Sequence, residues 1–267
     1  MTLQSSSSGF AAATRPVTLH TRIDTDTIGL AVGDIVISTG ESGIPGYFAK
    51  PIKPGCYPIV LVVQEIFGVH EHIRDIVRRL AKLDYIAIAP ELFYRWGNVG
   101  AIEDIEEIRK VVAQVPDSQV LADLDASLEW AASNGGDANR VAITGFCWGG
   151  RITWLYAAHQ PNIKAGVAWY GKISPESTPL QPHTPLEYAE KIKPPILGLY
   201  GGSDPSIPLD DIYTFKETLA TMNSASDIHV YPDAPHAFFA DYRPSYRKDA
   251  AEDGWERLQK WLKQHGV

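Results

Sequence analysis

Cys147, one of two cysteines in the chain, lies in Gly145-Phe146-Cys147-Trp148-Gly149, with an apolar run before it and a helical pattern after it. A nucleophile between two glycines at a strand-to-helix turn is the G-x-S-x-G elbow, here with a thiol in place of the hydroxyl. The turn is so tight that side chains two positions away would clash, which accounts for the glycines. The helix that follows directs free N–H groups and its positive end at the sulfur, favouring a thiolate and a developing oxyanion. Such a nucleophile needs a base, and the base needs an acid to orient it. In this architecture the chain order is nucleophile, acid, histidine. Asp204 follows the strand pattern ILGLYGG and His236 follows IHVYPDAP, so both fall at strand ends, where α/β sheets carry their functional groups. Asp210, Asp211 and Asp233 are weaker acids, because they lie in the next helix or beside the histidine itself.

Glu65 comes just past the unbroken apolar run in PIVLVVQEIFG. A solvated loop glutamate and a carboxylate close to the thiol are both open readings, since charged groups avoid burial unless paired. In the functional reading the same loop supplies one oxyanion N–H from Ile66, with the Trp148 N–H as the other. His70-x-His72 has the look of a metal pair, but the companion ligands of a zinc hydrolase are missing from the pattern. We expect no metal site, and read both histidines as polar residues at a helix start.

The elements that position these groups alternate along the chain. GDIVISTGESGIPGYFAKP predicts an antiparallel hairpin. PIVLVV, YIAIAP, RVAITG, IKAGVAWYG, PPILGLYGG and DIHVYP read as strands, the apolar runs fitting strands buried on both faces. Helical spacing falls between them and again over 250–264, where Trp255, Leu258 and Trp261 recur at three to four residues. Strands alternating with helices predict an α/β fold, a mostly parallel central sheet with helices on both faces. The expected organisation is a mobile N-terminal tail over 1–20 and a single domain over 21–267. The Pro-rich stretch 174–195 reads as a long irregular excursion that forms a cap or pocket rim. Trp148, Trp154, Trp169 and Tyr170 are candidates for pocket walls, although their spacing suits core positions as well.

A formal charge of −8 gives no general attraction for nucleic acid or an anionic membrane, so neither is expected as a partner. Two distant cysteines make no disulfide framework and suit a reducing compartment, with the cytoplasm as the default. The N-terminal stretch lacks the pattern of a signal peptide. Oligomeric state leaves no mark in the sequence.

Taken together, QEIFGVHEHIRDI, APELFYR, GFCWGG, YGGSD and DAPHAFFADYRPSYR closely resemble the dienelactone hydrolase family, the carboxymethylenebutenolidases, and most of all a bacterial branch of it. The resemblance runs from about residue 46 to the end. It implies an α/β-hydrolase fold, neither metal nor organic cofactor, and a triad on Cys147, His236 and Asp204. It also implies that Glu65 contacts the resting thiol and helps to generate thiolate, and that Arg95 binds a substrate carboxylate. One position departs from the pattern. Members that act on the chlorocatechol-pathway lactone carry an arginine four residues after the histidine, where this chain has Ala240. Arg243 and Arg247 lie nearby but do not match the motif. The expected activity is hydrolysis of a small ester or lactone, anionic if paired with Arg95, through a thioester on Cys147. A thioesterase or carboxylesterase on the same triad, and a ligand-binding protein on a hydrolase scaffold, are the rivals. A redox role for Cys147 is weakened by the lack of a nearby resolving cysteine.

Overall fold

The computed structural model describes residues 9–40 and 42–267. β1 (Leu30–Thr39) and β2 (Ser42–Pro51) pair antiparallel from Leu30↔Pro51 to Thr39↔Ser42, forming the expected hairpin. β2 continues antiparallel onto β4 (Ile86–Pro90), and every later pairing is parallel. These strands join β3 (Tyr57–Val63), β5 (Gly136–Phe146), β6 (Ala165–Trp169), β7 (Ile196–Gly201) and β8 (Asp227–Tyr231) in one sheet. Its order is β1-β2-β4-β3-β5-β6-β7-β8. Every residue of β4, β6 and β7 is buried, as expected for parallel strands covered on both faces. The chain leaves β3 toward β4 and returns to β5 on the other side of β3. That reversal makes the carboxyl ends of β3 and β5 the switch point where such sheets bind ligands.

Helices α3 (Asp117–Ser133), α4 (Trp148–His159) and α5 (Leu209–Thr221) share one face. The Tyr156 hydroxyl donates to Asp125 at 2.9 Å, and Trp154 packs against Phe215 at 4.8 Å between ring centres. Helices α1 (Glu71–Ala81) and α6 (Lys248–Gln264) cover the other face. Phe239 lies 6.1 Å from His72 of α1 and 5.9 Å from Trp255 of α6. The short α2 (Ile105–Ala113) starts at Asp104, whose carboxylate accepts the Glu106 N–H, a standard N-cap. No helix among the described residues is long and apolar enough to cross a membrane.

One expectation needs correction. The stretch 1–20 is not loose throughout: residues 1–8 lie outside the described residues, but the next few dock. Ala11 and Thr14 are buried, the Phe10 ring lies 4.9 Å from Tyr242, and the Thr18 N–H donates to the Tyr242 carbonyl. The apolar FAAAT after the serines is the reason, since it offers surface to bury. The Pro-rich excursion lines a groove of about 440 Å³, with Pro179, Leu180 and Tyr188 facing Pro116, Leu121 and Leu155. No predicted catalytic residue belongs to that groove's walls.

Candidate active site

Cys147 sits between β5 and α4 with φ 57° and ψ −117°, a backbone state that L-residues rarely adopt outside functional turns. Its N–H donates to the Trp169 carbonyl at 3.0 Å, and its own carbonyl accepts the Gly150 N–H at 2.9 Å. The glycines are required on contact grounds. A Cβ on Gly145 would lie 2.1 Å from the Gly149 oxygen, and one on Gly149 would lie 2.4 Å from the Val63 oxygen. Both obstacles are backbone, so they cannot swing away. Gly149→Ala is therefore expected to destabilise the fold by about 1–3 kcal/mol, as overpacking does. An unshifted urea midpoint would show that α4 can move off β3 freely.

The structure brings Asp204 and His236 together. Gly202 donates to the Tyr231 carbonyl at 2.7 Å and Ser203 to the Ala234 carbonyl at 3.0 Å, tying together the loops that follow β7 and β8. Asp204 Oδ2 then lies 2.6 Å from His236 Nδ1. Its other oxygen accepts the Ser206 N–H at 2.8 Å and the Ser206 hydroxyl at 2.6 Å. Burial alone would push the Asp204 carboxyl up, but the His236 and Ser206 hydrogen bonds outweigh it and hold it below the usual range. For His236, burial disfavours the cation, yet the charge at Cys147 and the Asp204 hydrogen bond raise it to about 10. Ser206 was not picked out in the sequence; its signal is the Asp-x-Ser spacing of a turn in which a carboxylate bonds two residues on.

Ile66 lies in the loop after β3, and Trp148 opens α4 directly after Cys147. Neither the Ile66 nor the Trp148 N–H has a hydrogen-bond partner among the described residues. The loop carrying Ile66 is braced by Glu91, a second residue the sequence reading missed. Its carboxylate accepts the Val69 N–H at 2.8 Å, and the Gln64 amide nitrogen, in its better orientation, reaches both Glu91 and the Pro90 carbonyl at 3.1 Å. A carboxylate directly after β4, in APEL, is the mark that reveals it.

Glu65 is buried, with relative exposure of 1%, so the solvated reading falls. Its Oε2 accepts the Tyr242 hydroxyl at 3.0 Å and lies 3.5 Å from His70 Nε2, while Oε1 has no partner. Burial would raise this carboxyl, but the His70 hydrogen bond and the positive charge around it hold it below the usual range. Burial also lowers His70, against the opposing pull of Glu65. No hydrogen bond among the described residues joins Glu65 to the Cys147 sulfur. His72 turns the other way, its Nδ1 3.2 Å from Asp241. Among the described residues no three His, Cys, Asp or Glu side chains are grouped to hold a metal ion.

Arg95 is the site residue that the structure does not bring in. Buried Asp123 takes both ends of its guanidinium, at 2.7 and 3.1 Å, and Thr39 takes a further hydrogen bond at 2.5 Å. A fork so fully engaged has little left to offer a substrate carboxylate. Arg243 is the cation that faces the site instead. It lies 5.3 Å from the centre of the Phe67 ring, with no ion pair or side-chain hydrogen bond among the described residues. Burial lowers it, but the negative charge of Glu65 and the proximity of Tyr242 and Cys147 raise it further.

A mostly parallel eight-stranded sheet with helices on both faces gives the protein an α/β-hydrolase fold, with a thiol on the turn after β5 and a hydrogen-bonded carboxylate and histidine after β7 and β8. Residues 44–266 match the dienelactone hydrolase family, and the chain belongs to it: a family of hydrolases that act on ester or lactone bonds. It is 53% identical over 261 residues to a candidate carboxymethylenebutenolidase of Methylorubrum extorquens, covering 97% of this chain and 90% of that one. It is 52% identical over 261 residues to one of Escherichia coli, covering 97% and 96%. The crystal structure of a candidate dienelactone hydrolase from Klebsiella pneumoniae superposes with a TM-score of 0.86 at 52% identity. That match covers 88% of this chain and 99% of that one.

Proposed function

We propose that the protein hydrolyses a carboxylate-bearing ester or lactone through a thioester on Cys147. The observation that carries this reading is the positive-φ Cys147 at the mouth of α4, served by His236 on buried Asp204. With His236 raised to about 10, its ring takes up the thiol proton readily, and Cys147 attacks as the thiolate. The thiolate adds to the carbonyl carbon, and the oxyanion takes the Ile66 and Trp148 N–H groups. The carbon–oxygen bond then breaks, and His236 gives its proton to the departing oxygen. Water attacks the thioester while His236 takes back a proton, releasing the acid and restoring the sulfur anion. A thiolate leaves easily, so the tetrahedral adduct partitions forward only when the competing leaving group is also good. Activated esters and enol lactones meet that condition; amides do not.

Recognition of the substrate carboxylate is assigned to Arg243 in place of Arg95. A charge-assisted hydrogen bond contributes about 1.5–3 kcal/mol, or roughly 10–100-fold in binding. Arg243→Met should therefore lower by that factor the preference in kcat/KM for a carboxylate-bearing lactone over its methyl ester. An unchanged preference would remove Arg243 from substrate recognition. The chemical step is tested by quenching a turnover in acid and locating the acyl group by mass spectrometry. An adduct on the Cys147 peptide supports the thioester, and one elsewhere defeats it. Both cysteines are free thiols, which fits work in a reducing compartment such as the cytoplasm.

A further inference from the structure

From Gly9 to Thr21 the chain runs as a strap across segments that follow three strands of the sheet. The Gly9 carbonyl accepts the Glu71 N–H at 3.3 Å, at the start of α1 beyond β3. The single turn Ala12–Thr14 lies against the turn Val99–Ala101 beyond β4. Beyond β8, the Thr21 hydroxyl donates to the Asp241 carbonyl at 2.5 Å and the Thr18 N–H to the Tyr242 carbonyl at 2.8 Å. The Phe10 ring fills the space between the first and last of these segments, 6.0 Å from His70 and 4.9 Å from Tyr242. The strap lies ahead of residue 44, where the match to the family begins, so it adds to the part of the chain that carries the family's pattern.

The residue next in line is Arg243. The Tyr242 carbonyl and the Arg243 N–H belong to one planar peptide group. Thr18 pins that group by its carbonyl, and the Ala240 carbonyl pins it by its N–H at 3.0 Å. Arg243 has no ion pair or side-chain hydrogen bond among the described residues, and its guanidinium lies 5.3 Å from the centre of the Phe67 ring. The aim of this cation is therefore set by its backbone and one aromatic face, with no carboxylate to correct it. We propose that the strap is a specificity element for anionic substrates: by clamping Asp241 and Tyr242 it holds the Arg243 guanidinium where a substrate carboxylate arrives. Phe10, Thr18 and Thr21 are positioning residues in this scheme, acting only through Arg243. The proposal rests on the reading of Arg243 as the substrate-binding cation. Small displacements matter here, because a charge-assisted hydrogen bond depends on close and aligned partners.

The test is the ratio of kcat/KM for a carboxylate-bearing lactone to that for its methyl ester, measured in the full chain. Both substrates pass through the same chemistry, so a general loss of activity or of folded protein cancels in the ratio. Phe10→Ala should lower the ratio by about 3–10-fold, a part of the roughly 10–100-fold that loss of the Arg243 bond removes. Phe10→Leu, which keeps apolar bulk against Tyr242, should restore most of it. Thr21→Val deletes the donor to Asp241 with little change of shape and should move the ratio the same way, which keeps the test open if Phe10→Ala does not fold. In an Arg243→Met background the strap variants should add nothing, since coupled residues are not additive. A ratio that stays at the parent value in the strap variants, while Arg243→Met lowers it, overturns the strap's role and spares Arg243. An equal further drop in the Arg243→Met background also overturns it, because the strap would then act by another route. A ratio that Arg243→Met itself leaves unchanged removes the reading of Arg243 first, and the proposal with it.

Discussion

Cys147→Ala should lower kcat by about 10⁴-fold or more, since a nucleophile and its base act as one unit. The comparison is a panel of p-nitrophenyl acetate, an enol lactone and a dienelactone, assayed with parent and variant side by side. The variant deletes only the sulfur and keeps a side chain compatible with the elbow, so folding should survive. A rate within a few-fold of the parent would end the case for a covalent step at this residue. Serine is the more instructive second substitution. A serine hydroxyl must lose its proton to His236 during attack, and its alkoxide is far harder to form than a thiolate. Cys147→Ser should therefore also be slow, despite placing a hydrolytic nucleophile on an intact turn.

Asp204→Asn is the second large effect. The carboxylate fixes the imidazole through a 2.6 Å contact and helps to stabilise its cation. The amide keeps the shape but loses the charge and invites the wrong tautomer; kcat should fall by about 10²–10⁴-fold, as for other triads. The pH dependence gives the sign. His236 is raised above its ordinary 6.5, so its cation is favoured in the folded protein and lost as pH rises through about 10. The parent should hold its rate to an alkaline limb near that value, and Asp204→Asn should bring the limb down. Stability follows the same direction. The contribution of His236 is complete below about 6.5 and fades as pH climbs through the folded value, whereas that of Asp204, whose carboxyl is lowered, is lost as pH falls. Alkaline limbs that coincide in the two proteins would show that Asp204 does not set the histidine's charge.

The fold and the pairing of Asp204 with His236 were legible because local chemistry carries them. Unbroken apolar runs marked the strands buried on both faces, and Gly145 and Gly149 marked a turn that admits no Cβ. Asp204 and His236 could be placed by strand ends and chain order alone. What was not legible depends on side-chain partners far apart in sequence. Nothing in APELFYR shows that Arg95 reaches Asp123 on α3, a residue whose own burial demands a cation. Nothing near His236 shows that Arg243, three places past the expected arginine position, turns toward Glu65 and the sulfur.

The docking of Phe10 against Tyr242 and His70 joins segments that lie far apart along the chain, directly behind the hydroxyl that serves Glu65. Contacts between such distant segments form late in folding. The surroundings of Glu65 are therefore expected to close only after the central sheet has formed.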